Sequence, residues 1–248
     1  SELLSGSKHF YDDLGNEIGS AEFMNGELDK AHCTSFRFSK SETEVTGEED
    51  EAQTITTGYE KEINPSSYTE EVDPANFYDQ FNDSVLSETI TKTVTDAEGN
   101  NLSQTTTYLR GKNKTETVTT YENDDFGRTV KENTVQKKYQ DGRWLPSYET
   151  EVSYTYDENG NVTETETKSR KEGETDWQIQ KTKAVYDSKG QVTKEYSPRG
   201  VKENVAAAYT YDLLGRKIKE ELPQNKTDGS AGYPVSYTHL TLPTKLEV

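Results

Sequence analysis

The chain has 248 residues and a formal net charge of −18, with 29% hydrophobic and 30% charged residues. So acidic a balance argues against binding to nucleic-acid backbones or anionic membranes, and no apolar run approaches the roughly 18 residues that a membrane-spanning helix needs. Leu, Ile, Val and Phe make up about 17% of the chain, below the roughly 20% that, with high net charge, signals disorder.

Against disorder stand 16 Tyr, two Trp and many β-branched residues. A large, thin sheet with little solid core reconciles the two, because repeat arrays bury apolar surface between neighbouring units. The only cysteine, Cys33, excludes an internal disulfide. The chain opens at Ser1 with neither an initiator Met nor a signal peptide, and is expected to be a segment of something longer.

Residues 1–75 are expected to be a less regular β segment. They hold one clear phrase, Tyr11-Asp12-Asp13-Leu14-Gly15-Asn16, and an acidic stretch from Glu42 to Glu51, read as a solvated loop or strand edge. From residue 76 to 232 the phrase recurs as an array. Clear copies are Tyr156-Asp157-Glu158-Asn159-Gly160-Asn161, Tyr186-Asp187-Ser188-Lys189-Gly190-Gln191 and Tyr211-Asp212-Leu213-Leu214-Gly215-Arg216. Worn copies fall at Thr95-Asp96-Ala97-Glu98-Gly99-Asn100 and Asn123-Asp124-Asp125-Phe126-Gly127-Arg128. A third, Tyr78-Asp79-Gln80-Phe81-Asn82, replaces Gly by Asn, the next residue best suited to a left-handed backbone.

Each position of the phrase has a physical task. Asp suits the first place of a type I turn, because its carboxylate accepts from backbone N–H groups just ahead. Gly suits the last, where φ is positive; such a turn joins two strands as a bulged hairpin. Tyr contributes β-propensity, a broad ring and a hydroxyl that can stay in water. The segments between turns, such as Thr89–Val94 and Thr115–Tyr121, alternate as strands do. The expected fold is therefore all-β, built of repeated antiparallel hairpins. Asp141-Gly142-Arg143-Trp144 and Glu174-Thr175-Asp176-Trp177 are expected to be turns at the opposite ends of these hairpins.

The first apolar residue after the turn Gly falls two places on at Val162 and Val192 but three at Ile18, Leu102, Val130 and Ile218. A one-place slip exchanges sheet faces, so the inward face of each hairpin stays open. Residues 233–248 stand apart. Pro234–Lys245 resembles a translated sequencing adapter, and this tail is expected to be non-native.

Nothing here is organised for chemistry. The reused residues form turns, so Tyr11, Asp12, Gly15, Tyr156, Asp157, Gly160, Tyr186, Asp187, Gly190, Tyr211, Asp212 and Gly215 are singled out as structural positions. No catalytic, cofactor or metal residue is assigned. His32 and Cys33 are adjacent, which is not a zinc-ligand spacing. Asp157–Asn161 fails as an EF-hand loop, with Val162 where Gly belongs and Lys168 where the bidentate Glu belongs. Trp144, Trp177 and the tyrosines leave open an alternative, an extracellular adhesin that stacks aromatic rings on glycans.

The phrase, best kept at Tyr211-Asp212-Leu213-Leu214-Gly215-Arg216 with Pro223 after it, resembles the Rhs/YD-repeat family. Its members include bacterial Rhs polymorphic toxins, wall-associated repeat proteins, toxin-complex shell components and teneurins. The resemblance covers roughly residues 76–222 and the copy at Tyr11. It implies a curved spiral sheet forming part of a hollow shell. That shell would be secreted or surface-exposed, and its partners would be the rest of the shell and an enclosed C-terminal toxin or effector domain. The chain lacks a segment like the family's shell-closing core, its self-cleaving aspartate site and any toxin domain.

Overall fold

Local sequence forces hairpins, and hairpins are what the chain contains. The protein is described from a computed structural model, which defines residues 5–48, 51–223 and 235–238. The strands are β1 (Gly6–Tyr11), β2 (Glu17–Phe23), β3 (Cys33–Thr46), β4 (Gln53–Ile63), β5 (Val85–Thr95), β6 (Asn101–Arg110), β7 (Asn113–Asn123), β8 (Thr129–Gln140) and β9 (Arg143–Trp144). They continue as β10 (Tyr148–Tyr156), β11 (Val162–Lys171), β12 (Gln178–Tyr186), β13 (Val192–Tyr196), β14 (Ala207–Tyr211), β15 (Lys217–Leu222) and β16 (Val235–Thr238). Among the described residues one short α-helix, α1 (Pro198–Glu203), lies between β13 and β14. Pairing is antiparallel between strands neighbouring in sequence, as an all-β meander requires, except that the short β9 pairs only with β8 and the order passes from β8 to β10.

The chain divides into two units. The first comprises residues 1–128, 133–149 and 171–173; the second comprises 129–132, 150–170 and 174–248.

The first unit holds a solid core that composition gave no reason to expect. Strands β1–β4, two of them long, supply its sheet. One face of β1–β4 carries Phe10, Ala21, Phe23, Phe36, Phe38 and Ile63, all buried. The segment from residue 64 to 84 crosses that face and lays Tyr68, Tyr78 and Phe81 onto it. Phe38 stacks on Phe81 at 5.3 Å, and Phe36 meets Phe38 edge-on at 4.9 Å, geometries that aromatic quadrupoles favour. Gly19 sits opposite Phe38. A Cβ there would collide with the Phe38 ring and lie 2.5 Å from the Arg37 carbonyl oxygen, so glycine is what admits the ring.

This arrangement corrects one reading of the repeats. Tyr78-Asp79-Gln80-Phe81-Asn82 is not a hairpin turn. Asn82 begins a 3-10 turn (Asn82–Ser84), and its φ is not positive. Tyr78 and Phe81 are core residues of the covering segment. Burial of two rings outweighs the local turn preference at this copy.

Outside that core the sheet is thin. No residue from 88 to 199 is buried, so pairing and side-chain contacts between strands must carry the stability there. In the first unit, antiparallel register assigns the faces, because directly opposed residues share one. Thr43, Thr56, Thr93 and Gln104, with Thr119 beyond, form a row across β3–β7, flanked by the row Ser41, Gly58, Thr91, Thr106 and Thr117. The opposite face carries Lys40, Tyr59, Ile90 and Thr107, and Ile55 with Val94. The first face is uncharged in both rows; the second continues the apolar side of β3 and β4.

Candidate functional site

The repeated phrase is built alike in every hairpin that carries it. At each turn the Asp N–H donates to the carbonyl of the residue after Gly, and the Gly N–H donates back to the Asp carbonyl. Asp12 Oδ1 accepts from the N–H groups of Leu14 and Asn16 at 2.9 and 2.8 Å. Asp157 does so from Asn159 and Asn161, Asp187 from Lys189 and Gln191, and Asp212 from Leu214 and Arg216, all at 2.9–3.0 Å. Gly15, Gly160, Gly190 and Gly215 have φ of 84°, 84°, 76° and 81°, the left-handed region that costs a side chain. The worn copies at Asp96 and Asp124 keep the scheme, with Gly99 and Gly127 at 88° and 75°. A register shift falls before Tyr11, Tyr186 and Tyr211, as a glycine bulge requires.

These hydrogen bonds hold the carboxyls of Asp12, Asp96, Asp124 and Asp212 below the ordinary range. For Asp12 the main cause is the Asn16 side chain, for Asp96 the Asn100 side chain and for Asp124 the Arg128 side chain. For Asp212 it is the Arg216 backbone N–H. At Asp157, Asn161 Nδ2 also donates to Oδ2 at 2.9 Å. The carboxylate is thus surrounded by donors, the environment of a turn anchor rather than of a cation ligand.

The tyrosines do more than pack. Tyr156 Oη donates to the Thr129 carbonyl at 2.6 Å, Tyr186 Oη to Val162 at 2.9 Å and Tyr211 Oη to Val192 at 2.8 Å. Thr129, Val162 and Val192 each lie two residues past a turn glycine, so each hydroxyl latches its hairpin to the preceding one. The expectation of a hydroxyl in water fails for these three, because the carbonyl of the neighbouring return strand lies within reach. Tyr11 is 53% exposed.

The polar residue after Gly forms the reciprocal contact. A Cβ on Gly127 would lie 2.5 Å from Asn100 Oδ1, and one on Gly190 would lie 3.5 Å from Asn161 Oδ1. Gln191 Nε2 donates to the Gly215 carbonyl at 3.0 Å. The phrase therefore reaches forward with its last residue and backward with its first.

Between latches, the second unit carries a chain of ion pairs. Lys131 meets Glu151 at 2.9 Å, Glu151 meets Lys168 at 3.1 Å, and Lys168 meets Glu166 at 3.1 Å. Glu166 also pairs with Lys181, Lys181 with Glu164 at 3.4 Å, and Glu164 with Lys183 at 3.0 Å. The lysines depress Glu151, Glu164 and Glu166. Opposed charges across strands stabilise a sheet modestly, which suits a surface with no solid core beneath it.

The opposite turns differ from the phrase. Asp141 and Gly142 both have positive φ, 53° and 79°, between paired Gln140 and Arg143, the requirement of a type I′ hairpin. Trp144 is 52% exposed and meets Tyr139 edge-on at 5.4 Å. Trp177 lies in the loop between β11 and β12, with the Arg170 guanidinium 4.3 Å from its ring centre.

Two further polar clusters lie in the first unit. Glu27, Asp29 and His32 bring three potential ligand atoms within 4.8 Å of one another. His32 Nδ1 is 2.8 Å from Asp29 Oδ1 and 3.3 Å from Glu27 Oε2. Asp29 Oδ1 also accepts from the N–H groups of Ala31 and His32, so the cluster is a capped loop, and the Asp29 contact raises the imidazole pKa. Cys33 points elsewhere: its Sγ donates to the Ser35 carbonyl, and burial pushes the thiol up.

The second cluster centres on Lys61, which is 5% exposed. Its Nζ donates to the Tyr78 carbonyl at 2.9 Å and to Asn82 Oδ1 at 2.7 Å, and lies 3.9 Å from the Tyr78 ring centre. Tyr78 Oη donates to Glu88 at 2.8 Å, and burial drives its pKa far up. This ties the covering segment to the sheet. Sequence reasoning missed Lys61, because its partners lie in a segment read as a turn.

No family model matches the chain, and no curated protein matches it significantly. Among solved structures, a chain of the Photorhabdus luminescens Tc holotoxin pore aligns at 12% identity and a TM-score of 0.29, over 90% of this chain and 12% of that one. The chain thus spans about an eighth of that toxin chain, and a score so low carries no argument.

Proposed function

We propose that this chain is a non-catalytic structural segment of a secreted or surface-exposed protein of the Rhs/YD-repeat kind. In this reading it forms part of a β-shell that encloses or presents a C-terminal toxin or effector domain. One observation carries the proposal. In the three clear copies of the array the turn Asp and the Tyr hydroxyl are spent on their own turn or on the adjacent hairpin, through the bonds of Asp157, Asp187 and Asp212 and the hydroxyls of Tyr156, Tyr186 and Tyr211. A sequence that repeats only such residues is selected for a wall rather than for a reaction centre.

The test is electron microscopy and limited proteolysis of the parent polypeptide carried through its C-terminus. A hollow particle that protects a C-terminal fragment is the expected result. A solid particle, or a C-terminal domain digested as fast as a free one, overturns the reading. A glycan-binding adhesin is the second reading, favoured by the half-exposed Trp144 beside Tyr139. It predicts glycan-array binding that Trp144→Ala abolishes.

A further inference from the structure

The longest strand of the chain is paired on only part of one side. β2 pairs with β3 from Cys33 to Phe38, whereas β4 runs along β3 as far as Thr46. Past Gly19 the β1–β2 hairpin leaves the sheet, so the outer edge of Ser39–Thr46 has no strand beside it among the described residues. Residues 41–46 are all exposed. Beside this edge the hairpin and the β3–β5 sheet bound an open wedge of about 650 Å3, lined by Asp12, Asn16 and Glu17 and, on the sheet, by Ser39, Lys40, Ser41, Gly58 and Thr91.

An edge with free N–H and C=O groups is a template for another strand. Its side chains decide which one. Strand alternation places Lys40, Glu42 and Glu44 on one face. Lys40 is already held by Glu42 at 2.8 Å and lies over the rings of Tyr59 and Tyr78 at 4.8 and 5.1 Å. Asp12 and Glu17 also line the wedge, but Asp12 is held in its own turn and Glu17 by His9 at 2.8 Å, so Glu42 and Glu44 set the charge of the edge. A second copy of this chain is rejected, because an antiparallel pair centred on Thr43 would set Glu42 against Glu44, and like charges directly opposed destabilise a sheet. The same carboxylates attract a cationic strand, so one feature supplies both the attraction and the exclusion that specificity needs.

We propose that the Ser39–Thr46 edge accepts one extended polypeptide segment with Lys or Arg at alternate positions, which adds to the sheet as a strand. The proposal is independent of the shell reading.

It is tested on the full chain with a blocked peptide that alternates lysine and threonine over the length of Ser39–Thr46. The readout is amide hydrogen exchange followed by NMR. The expected result is saturable slowing of exchange at alternate amides of this edge, weakened by added salt. It should be lost with a backbone N-methylated peptide, and lost in the Glu42→Lys/Glu44→Lys variant whose circular dichroism is unchanged. Absence of slowing overturns the proposal, as does equal binding of the N-methylated peptide or of a glutamate–threonine peptide. So does sedimentation showing that the chain alone is a dimer with these amides already protected.

Discussion

The hydroxyl of Tyr186 donates to the carbonyl oxygen of Val162 at 2.9 Å, joining the return strand of one hairpin to the incoming strand of the next. Tyr156 and Tyr211 repeat the contact with Thr129 and Val192. A hydrogen bond of this kind contributes about 1 kcal/mol net. Tyr186→Phe, Tyr156→Phe and Tyr211→Phe are each expected to lower stability by about that amount, while Tyr11→Phe changes little. Urea denaturation of the four variants checks this.

Tyr68→Phe is expected to act in the opposite direction. Its hydroxyl is buried without a hydrogen-bond partner among the described residues. A buried orphan of this sort costs about 1–3 kcal/mol, so removing it should raise the midpoint of thermal unfolding.

Two glycines of identical role should differ in their tolerance of a side chain. Gly99 has open space where a Cβ would stand, whereas at Gly127 that atom would lie 2.5 Å from Asn100 Oδ1. Gly99→Ala should therefore show only the left-handed backbone cost, about 1–2 kcal/mol. Gly127→Ala should lose more and also disturb the Asn100 signals in an NMR spectrum.

Acid should loosen the turns before it affects the core. Asp12, Asp96, Asp124 and Asp212 are depressed in the folded chain. Their contribution is thus complete above the unfolded carboxylate pKa of about 3.9 and is lost as pH falls through the lower folded values. Replacing Asp124 by Asn should flatten the fall in melting temperature on the acid side of that value, measured by calorimetry.

Phe38→Ala should be the most damaging single change. The side chain is buried against Phe36, Phe77 and Phe81, and deletion of a core phenylalanine costs about 3–5 kcal/mol.

What the sequence made legible was local. Alternating Thr, Val and Tyr point to strands, and Asp-x-x-Gly carries its turn chemistry within five residues. What it hid was non-local. The partner of Tyr186 lies 24 residues upstream, and nothing in the phrase names it. The core escaped notice because Phe10, Phe36 and Phe38 are covered by residues 64–84, which contain no strand to signal packing. The faces of the first unit became assignable only once pairs such as Thr91 with Thr106 fixed the register. Helix α1 did carry a signal, Ser197 capping a helix that opens with Pro198, a known start pattern, but it is too short to show an apolar stripe. The expected tail is described only as the backbone of β16, which pairs with β15.

The latch has an evolutionary consequence. The copies at Tyr156 and Tyr186 each contain both halves of the contact, a tyrosine hydroxyl before the turn and a carbonyl after it, at Val162 and Val192, that accepts from the next tyrosine. An unequal crossover between two near-identical turns therefore inserts or removes a complete joint. Such a gene can change its length by copying, with no new residue needed to make the added piece fit.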